Sequence, residues 1–326
     1  MPSEFRYAAV VIGRNEGDRL KQCFRSLSGA DLVVYVDSGS TDGSAEAAAA
    51  SGAEVINLDL SQPFTAARAR NVGFARVRAL RADLPFIQFI DGDCELIAEW
   101  PAVALEFLQN NEQVAVVAGR RRERNPSYSI YNRLCDWEWD APHGSTSSIG
   151  GDSMMRKSSF EMVGGFRDDL IAGEEPELCL RLRSAGWQVW RLGNEMTLHD
   201  AAMNSFAQWW IRSSRAGYAY ANGAHLHGKL PERFNVWKTR RAWLWGMCFP
   251  FVAILAGAYF GPIGFLLLLA YPAQMLRQFL RNTGPPSRRA TLAFFQVVAR
   301  FPEMAGQVRF LFDTATSRRS KLIEYK

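Results

Sequence analysis

Phe86-Ile87-Gln88-Phe89-Ile90-Asp91-Gly92-Asp93 decides how this chain folds. A short, mostly apolar run leads straight into two carboxylates one residue apart. Such a run, ended by turn residues, reads as a strand buried on both faces. Strands of that kind form parallel sheets, and those sheets bind ligands beyond the carboxyl ends of their strands. Asp91 and Asp93 then project to the same side of the chain. Two like charges so close are unfavourable without a cation between them. A hard divalent ion, Mg2+ or Mn2+, meets that need with one or two carboxylates and keeps other positions for phosphate oxygens. Alone, an Asp-x-Asp pair is as readily a solvated turn; its place after a buried strand singles it out.

Upstream, strand and helix patterns alternate, as in an α/β fold with a mostly parallel sheet. Tyr7–Ile12, Asp31–Val36 and Glu54–Leu58 read as strands, and Val114–Ala118 as another beyond the Asp-Gly-Asp turn. Helical spacing covers residues 16–27, 43–51, 66–80 and 100–109, and later 176–185. The first two strand ends carry polar motifs of their own, Gly13-Arg14-Asn15-Glu16 and Asp37-Ser38-Gly39-Ser40-Thr41-Asp42-Gly43. Residues 120–150 are irregular, polar and aromatic. A βα-like segment follows from Ser153 to Val163, and a short strand from Val189 to Leu192.

The character changes from about residue 229. The chain carries a net charge of +5. Residues 229–326 hold 15 Lys/Arg against 4 Asp/Glu, so residues 1–228 are net acidic. Positive charge confined to flanks of the most apolar stretch points to anionic lipid headgroups, not to nucleic acid. Residues 243–276 contain no charge. They suit a re-entrant helical hairpin broken at Gly261-Pro262, with a single crossing as the alternative. Basic residues on both sides place both ends in the cytoplasm. Residues 291–312 pattern as an amphipathic helix lying in the membrane interface, kinked at Pro302. The five scattered cysteines read as free thiols of a reducing compartment. Met1 to Arg6 offers no signal-peptide core. The expected organisation is therefore a catalytic domain over 1–228 and a membrane-docking segment over 229–326, on the cytoplasmic side (the inner membrane in a bacterium).

Six motifs in order resemble the family 2 glycosyltransferases of the GT-A fold. They are Gly13-Arg14-Asn15-Glu16, Asp37-Ser38-Gly39-Ser40-Thr41-Asp42, Ala67-Arg68-Ala69-Arg70-Asn71-Val72-Gly73, Asp91-Gly92-Asp93, Gly164-Gly165-Phe166, and Gly173-Glu174-Glu175-Pro176-Glu177-Leu178-Cys179-Leu180-Arg181-Leu182. The resemblance covers roughly residues 5–220. It implies transfer of a sugar from a nucleotide donor, with Mg2+ or Mn2+. Asp37, with Ser38 beside it, matches a carboxylate that accepts the imide N–H of uracil; as an isolated residue it is a turn cap. Arg14, Asn15 and Glu16 fall near the base, and Arg70 and Asn71 beside the nucleotide. Asp93 matches the direct metal ligand, Asp91 and Gly92 the turn nearer the ribose or a metal-bound water. His199 falls where relatives complete the metal or pyrophosphate shell.

The resemblance also implies an acid pair at Glu174 and Glu175, whose second member deprotonates the acceptor hydroxyl. This chain departs from the pattern with Glu175 in place of Asp, which leaves open which glutamate acts. Arg212 or Arg215 would close over the diphosphate, in a motif whose order is altered here; a Trp-Arg belt at the membrane is the alternative. Trp137, Trp139, Gly150 and Gly151 lie where an acceptor would enter. The expected acceptor is a glycan, polyprenyl-linked, presented at an anionic membrane surface, in synthesis of a cell-envelope polysaccharide or exopolysaccharide. The expected donor is a UDP-sugar. Other classes compatible with the fold are nucleotidyl transfer, which wants a Gly-rich basic loop where Gly13-Arg14-Asn15-Glu16 stands, and a non-catalytic scaffold.

Overall fold

A computed structural model describes residues 6–62 and 64–316. The first five residues and those from 317 onward, included in the expectations above, lie outside the described residues. The chain divides into two units, Met1–Asn204 and Ser205–Lys326.

In the first unit the strands are β1 (Tyr7–Gly13), β2 (Leu32–Asp37), β3 (Glu54–Asn57), β4 (Phe86–Asp91), β5 (Cys94–Leu96), β6 (Val114–Glu123), β7 (Gly144–Ser145), β8 (Ser153–Arg156) and β9 (Gln188–His199). The helices are α1 (Asp18–Ser26), α2 (Ser44–Ala50), α3 (Ala66–Leu80), α4 (Trp100–Asn110), α5 (Ile130–Trp139), α6 (Lys157–Met162) and α7 (Glu174–Ser184). The described strands form one mixed sheet in the order β3-β2-β1-β4-β8-β6-β9-β5, with β7 on β9. β1, β2, β3 and β4 run parallel. Residues 7–12 of β1 are buried throughout, as the apolar run requires. Register sets Gly13 opposite Asp37 and Ile12 opposite Asp91, so three polar motifs end on one edge. A Cβ on Gly73 would lie 2.4 Å from Val10 Cγ1, so glycine lets α3 lie close against the sheet. Gln88, in the middle of β4, is fully buried and accepts the Trp100 indole N–H at 3.0 Å.

Two strands run further than their apolar cores. β6 continues past Ala118 through three arginines, which stay in the strand because Asp136, Asp152 and Glu195 pair with them. β9 continues past Leu192 to His199 and pairs with both β6 and β5. β5, with three residues, is too short to show a period of its own.

The second unit is helical: α8 (Phe206–His227), α9 (Val236–Trp243), α10 (Phe249–Phe260), α11 (Ala270–Arg281), α12 (Pro286–Val298) and α13 (Arg300–Ala315). A π-helical turn, Leu244–Cys248, joins α9 to α10, and a 3-10 stretch, Gly261–Leu269, joins α10 to α11. The division falls at Asn204/Ser205, ahead of the expected 228, because α8 packs on α13. A Cβ on Gly217 would sit 1.9 Å from the Glu303 carbonyl oxygen, and one on Gly306 equally close to that of Ser214.

Val236–Arg281 is helical and apolar enough to cross a membrane, and 17% of its most apolar window is buried. It does not run straight. Gly261 takes φ +68°, and a Cβ on Gly264 would lie 2.1 Å from the Ala256 carbonyl. Tyr271 Oη donates to the Trp245 carbonyl at 2.5 Å. A straight helix would hold those two residues ~39 Å apart. The chain therefore turns back at Gly261-Pro262. The expected single helix over 291–312 is instead two, parted at Ala299. Pro302 stands in the first turn of α13, where its missing N–H costs nothing. Phe310 is buried inside the unit, so this apolar face is partly spent on packing.

Candidate active site

β5 starts directly after the Asp91-Gly92-Asp93 turn and pairs antiparallel with β9, in a register that sets Cys94 opposite His199. That pairing brings Asp93 Oδ2 within 3.4 Å of His199 Nε2. Asp93, Cys94 and His199 each offer a ligand atom, all within 4.8 Å of one another. A buried carboxylate beside an imidazole suits a divalent ion such as Mn2+. Burial pushes the Cys94 thiol well above its usual range, so it stays protonated and a weak ligand. His199 Nδ1 has no hydrogen-bond partner and faces Glu123 Oε2 at 3.9 Å.

Asp91 behaves differently from its neighbour. It groups with Cys94 and Asp152, not with His199. Arg70 Nη2 donates to its Oδ1 at 2.8 Å and Arg121 Nη2 to its Oδ2 at 3.4 Å. Burial alone would raise this carboxyl; Arg70 and Arg121 outweigh burial and hold it well below the usual carboxylate range. The two aspartates of the turn, expected beside one cation, thus meet different side chains among the described residues. Asp91 ends β4, the chain turns before β5, and the cations Asp91 meets are arginines.

Arg70, almost fully buried on α3, links this turn to the acid pair. Its Nη1 donates to Glu174 Oε1 at 3.1 Å and to Glu175 Oε1 at 3.2 Å. Both glutamates open α7 behind Gly173, where the helix dipole favours negative charge. Glu174 is 3% exposed, whereas the Glu175 side chain keeps 17% of its surface open. Burial, then the Glu174 charge, pushes Glu175 up to about 7, against the pull of Arg70. Gly151 closes over this group: a Cβ there would lie 2.3 Å from Arg70 Nη2 and 3.1 Å from Glu175 Oε1. Gly151→Ala is expected to displace Arg70, lowering stability by about 1–3 kcal/mol and turnover by about tenfold or more. Thermal unfolding and steady-state rates check this.

The remaining motif residues divide between opening and bracing the site. Asp37 Oδ2 accepts the backbone N–H groups of Gly39 and Ser40, and its Oδ1 the Tyr35 hydroxyl at 3.0 Å, so it caps its own turn. Ser38 Oγ is buried without a partner at the same strand end. Asn15, at φ +56°, ties the first loop to the second by accepting from the Thr41 N–H at 2.7 Å. Glu16 is held by Arg19 at 2.8 Å, and its Cγ lies close to both Gly13 and Gly92. Arg14 is exposed on that loop. Asn71 bonds to Phe166 and Asp168, so its amide braces the Gly164-Gly165-Phe166 loop. Trp139 packs edge-on against His199 and under Arg121, whereas Trp137 is half-buried on the same helix and Gly150 is exposed. Arg212 and Arg215 lie on α8, in the second unit.

Sequence reading missed Asp152, Arg121 and Glu123. Asp152, fully buried, accepts from the Asp91 N–H at 3.1 Å, Thr197 Oγ1 at 2.8 Å and Arg121. Its signal was its place after Gly150-Gly151, ahead of a strand. Glu123 accepts from the Ala201 N–H and from Asn132, fixing the loop after His199. Nothing in its Arg-rich surroundings marked it.

Residues 9–163 match the model of the family described as glycosyl transferase family 2. The match runs from β1 through α6 and contains Asp37, Arg70, Asp91, Asp93 and Asp152. The chain carries a family 2 glycosyltransferase domain. No curated protein matches it by sequence. Among solved structures it is similar to the mannosyltransferase PcManGT from Pyrobaculum calidifontis, in complex with GDP-Man and Mn2+. That pair is 19% identical, with a TM-score of 0.61 over 94% of this chain and 87% of the other. It is also similar to residues 1–349 of S. aureus TarS, 12% identical, with a TM-score of 0.52 over 96% and 92% of the two chains. These likenesses show the GT-A fold of the glycosyltransferase. Its glutamate pair and His199 lie beyond the family match and rest on geometry.

Proposed function

We propose that this glycosyltransferase moves a sugar, with inversion, from a UDP-sugar to a lipid-linked glycan at a membrane surface, in cell-envelope or exopolysaccharide synthesis. The observation that carries the reading is Arg70, one buried cation joining the Asp-Gly-Asp turn to a partly open glutamate. Asp93 and His199 would hold Mn2+ or Mg2+, an assignment supported by the Mn2+ bound to the similar mannosyltransferase. Such an ion offsets the charge of a departing nucleoside diphosphate. Glu175 takes the proton of the acceptor hydroxyl as that oxygen attacks the anomeric carbon. The diphosphate leaves from the opposite face, which inverts the configuration. Asp37 and Ser38 would meet the base.

The exposed apolar hairpin, with Phe251, Leu255, Tyr259 and Leu266 outward, supports docking on a bilayer. Its first arm, residues 244–260, is ~25 Å long, short of a hydrocarbon core of ~30 Å. That length supports re-entry with both basic ends in the cytoplasm over a full crossing. The test is a screen of nucleotide sugars with Mn2+ present and absent. UDP with Mn2+ is expected to stabilise the protein more than either alone, and a UDP-sugar to be hydrolysed slowly. A GDP-sugar turned over instead would change the donor, and product with retained configuration would remove the base role from Glu175.

A further inference from the structure

The second unit holds a pocket of about 240 Å³ at the foot of the apolar hairpin, lined by Arg241, Trp245, Gln274, Gln278, Gln296 and Arg300. It is cationic and amide-rich within the most apolar part of the chain. Arg241 has a buried Nε that meets no acceptor. Arg300 is spent differently: it is paired with Glu303, and its Nε donates to the Gln296 carbonyl at 3.1 Å. Burial lowers the Arg300 pKa, Glu303 opposes that, and Arg241 adds to it, so two guanidiniums lie close enough to repel. The wall beside Arg241 is the π-helical turn that carries Trp245, a distortion common where a helix builds a site. Gly246 lets this turn lie close against α13: a Cβ there would lie 2.4 Å from the Arg300 carbonyl oxygen.

We propose that this pocket binds a phosphate group. A guanidinium with an unused N–H pairs with phosphate oxygens in charge-assisted bonds, and glutamine amides can donate to the others. The volume lies below the ~300–1,000 Å³ of sites for whole small molecules, so it suits a headgroup. Trp245 begins the hairpin whose outer face is apolar, so a phosphate seated here has room for an attached tail along that face. The chemistry is that of a lipid phosphate or of free phosphate; the lipid source rests on the membrane reading above.

The test uses the full chain with phosphatidylcholine vesicles, with or without a minor fraction of phosphatidic acid, and inorganic phosphate as the soluble probe. Phosphatidic acid is expected to tighten vesicle binding about tenfold, and Arg241→Gln to remove that gain. If inorganic phosphate stabilises the parent but not Arg241→Gln, and vesicles show no gain, the same site takes a soluble phosphate. Gln278→Leu keeps the charge and should weaken the response about threefold; it decides the matter if Arg241→Gln fails to fold. Arg289→Gln, outside the pocket, is the control. Equal losses in Arg289→Gln and Arg241→Gln mean a diffuse basic surface and overturn the proposal, as does a full response in both pocket variants. Donor hydrolysis by the parent in the same preparation tests the glycosyl-transfer reading separately.

Discussion

Asp93→Ala is expected to lower Mn2+-dependent donor turnover by about a thousandfold, with the fold retained. Asp93 is 6% exposed and stands 3.4 Å from His199, on a turn whose backbone is fixed by the Gly92 N–H bonding to the Ile12 carbonyl at 2.8 Å. Removing its carboxylate leaves that backbone bond in place. The same change at Asp91 has a different expected signature. Asp91 shares Arg70 with the glutamate pair and Arg121 with Asp152, so Asp91→Ala leaves both cations paired but each short of one acceptor, and costs about 1–3 kcal/mol of stability. A Mn2+ titration of kcat/KM, beside thermal unfolding, separates the two. An Asp93→Ala enzyme that answers Mn2+ as the parent does would end the metal assignment. His199→Ala should shift the Mn2+ midpoint less, since imidazole brings no charge to the site.

How far the site could be read beforehand follows from where each residue gets its geometry. Asp37, Asp91 and Gly13 sit at the ends of buried parallel strands, and buried strands announce themselves by apolar runs. Register alone then sets them on one edge. Asp93 and His199 meet through β5, three residues long and without a pattern, paired to a strand extended seven residues past its apolar core. No local signal predicts that. Asp152 and Arg121 were hidden for a related reason: a charge drawn in from the surface at these positions is tolerated because partners from other strands match it. A sequence lists charges; it does not show which are matched. The aspartate turn was legible from its strand, but the partners of its two carboxylates were not. One aspartate is matched by arginines, and the other faces the histidine.

Activity should rise with pH through about 7 and level off above it, with Glu175 as the group that titrates. A general base works when ionised, and burial with the Glu174 charge places Glu175 at about 7. Glu175→Gln is expected to cost a further factor of about 10²–10⁴ in kcat and to flatten the acid limb. Arg70→Gln provides the sign test: Arg70 holds Glu175 down, so its removal should move the limb to higher pH. Stability must follow the opposite course. Glu175 binds its proton more tightly in the folded chain than its ordinary value of 4.5 allows, so its contribution is present below that value and is lost as pH rises through about 7. Glu175→Gln should therefore unfold at a higher temperature than the parent at pH 8, with the gap closing towards pH 4. Glu174→Gln distinguishes the alternatives, because Glu174 is shut away behind Arg70 and touches no open surface. If Glu174→Gln alone abolishes the limb while Glu175→Gln keeps it, the base is Glu174 and the extra methylene at 175 has moved the proton acceptor back by one residue.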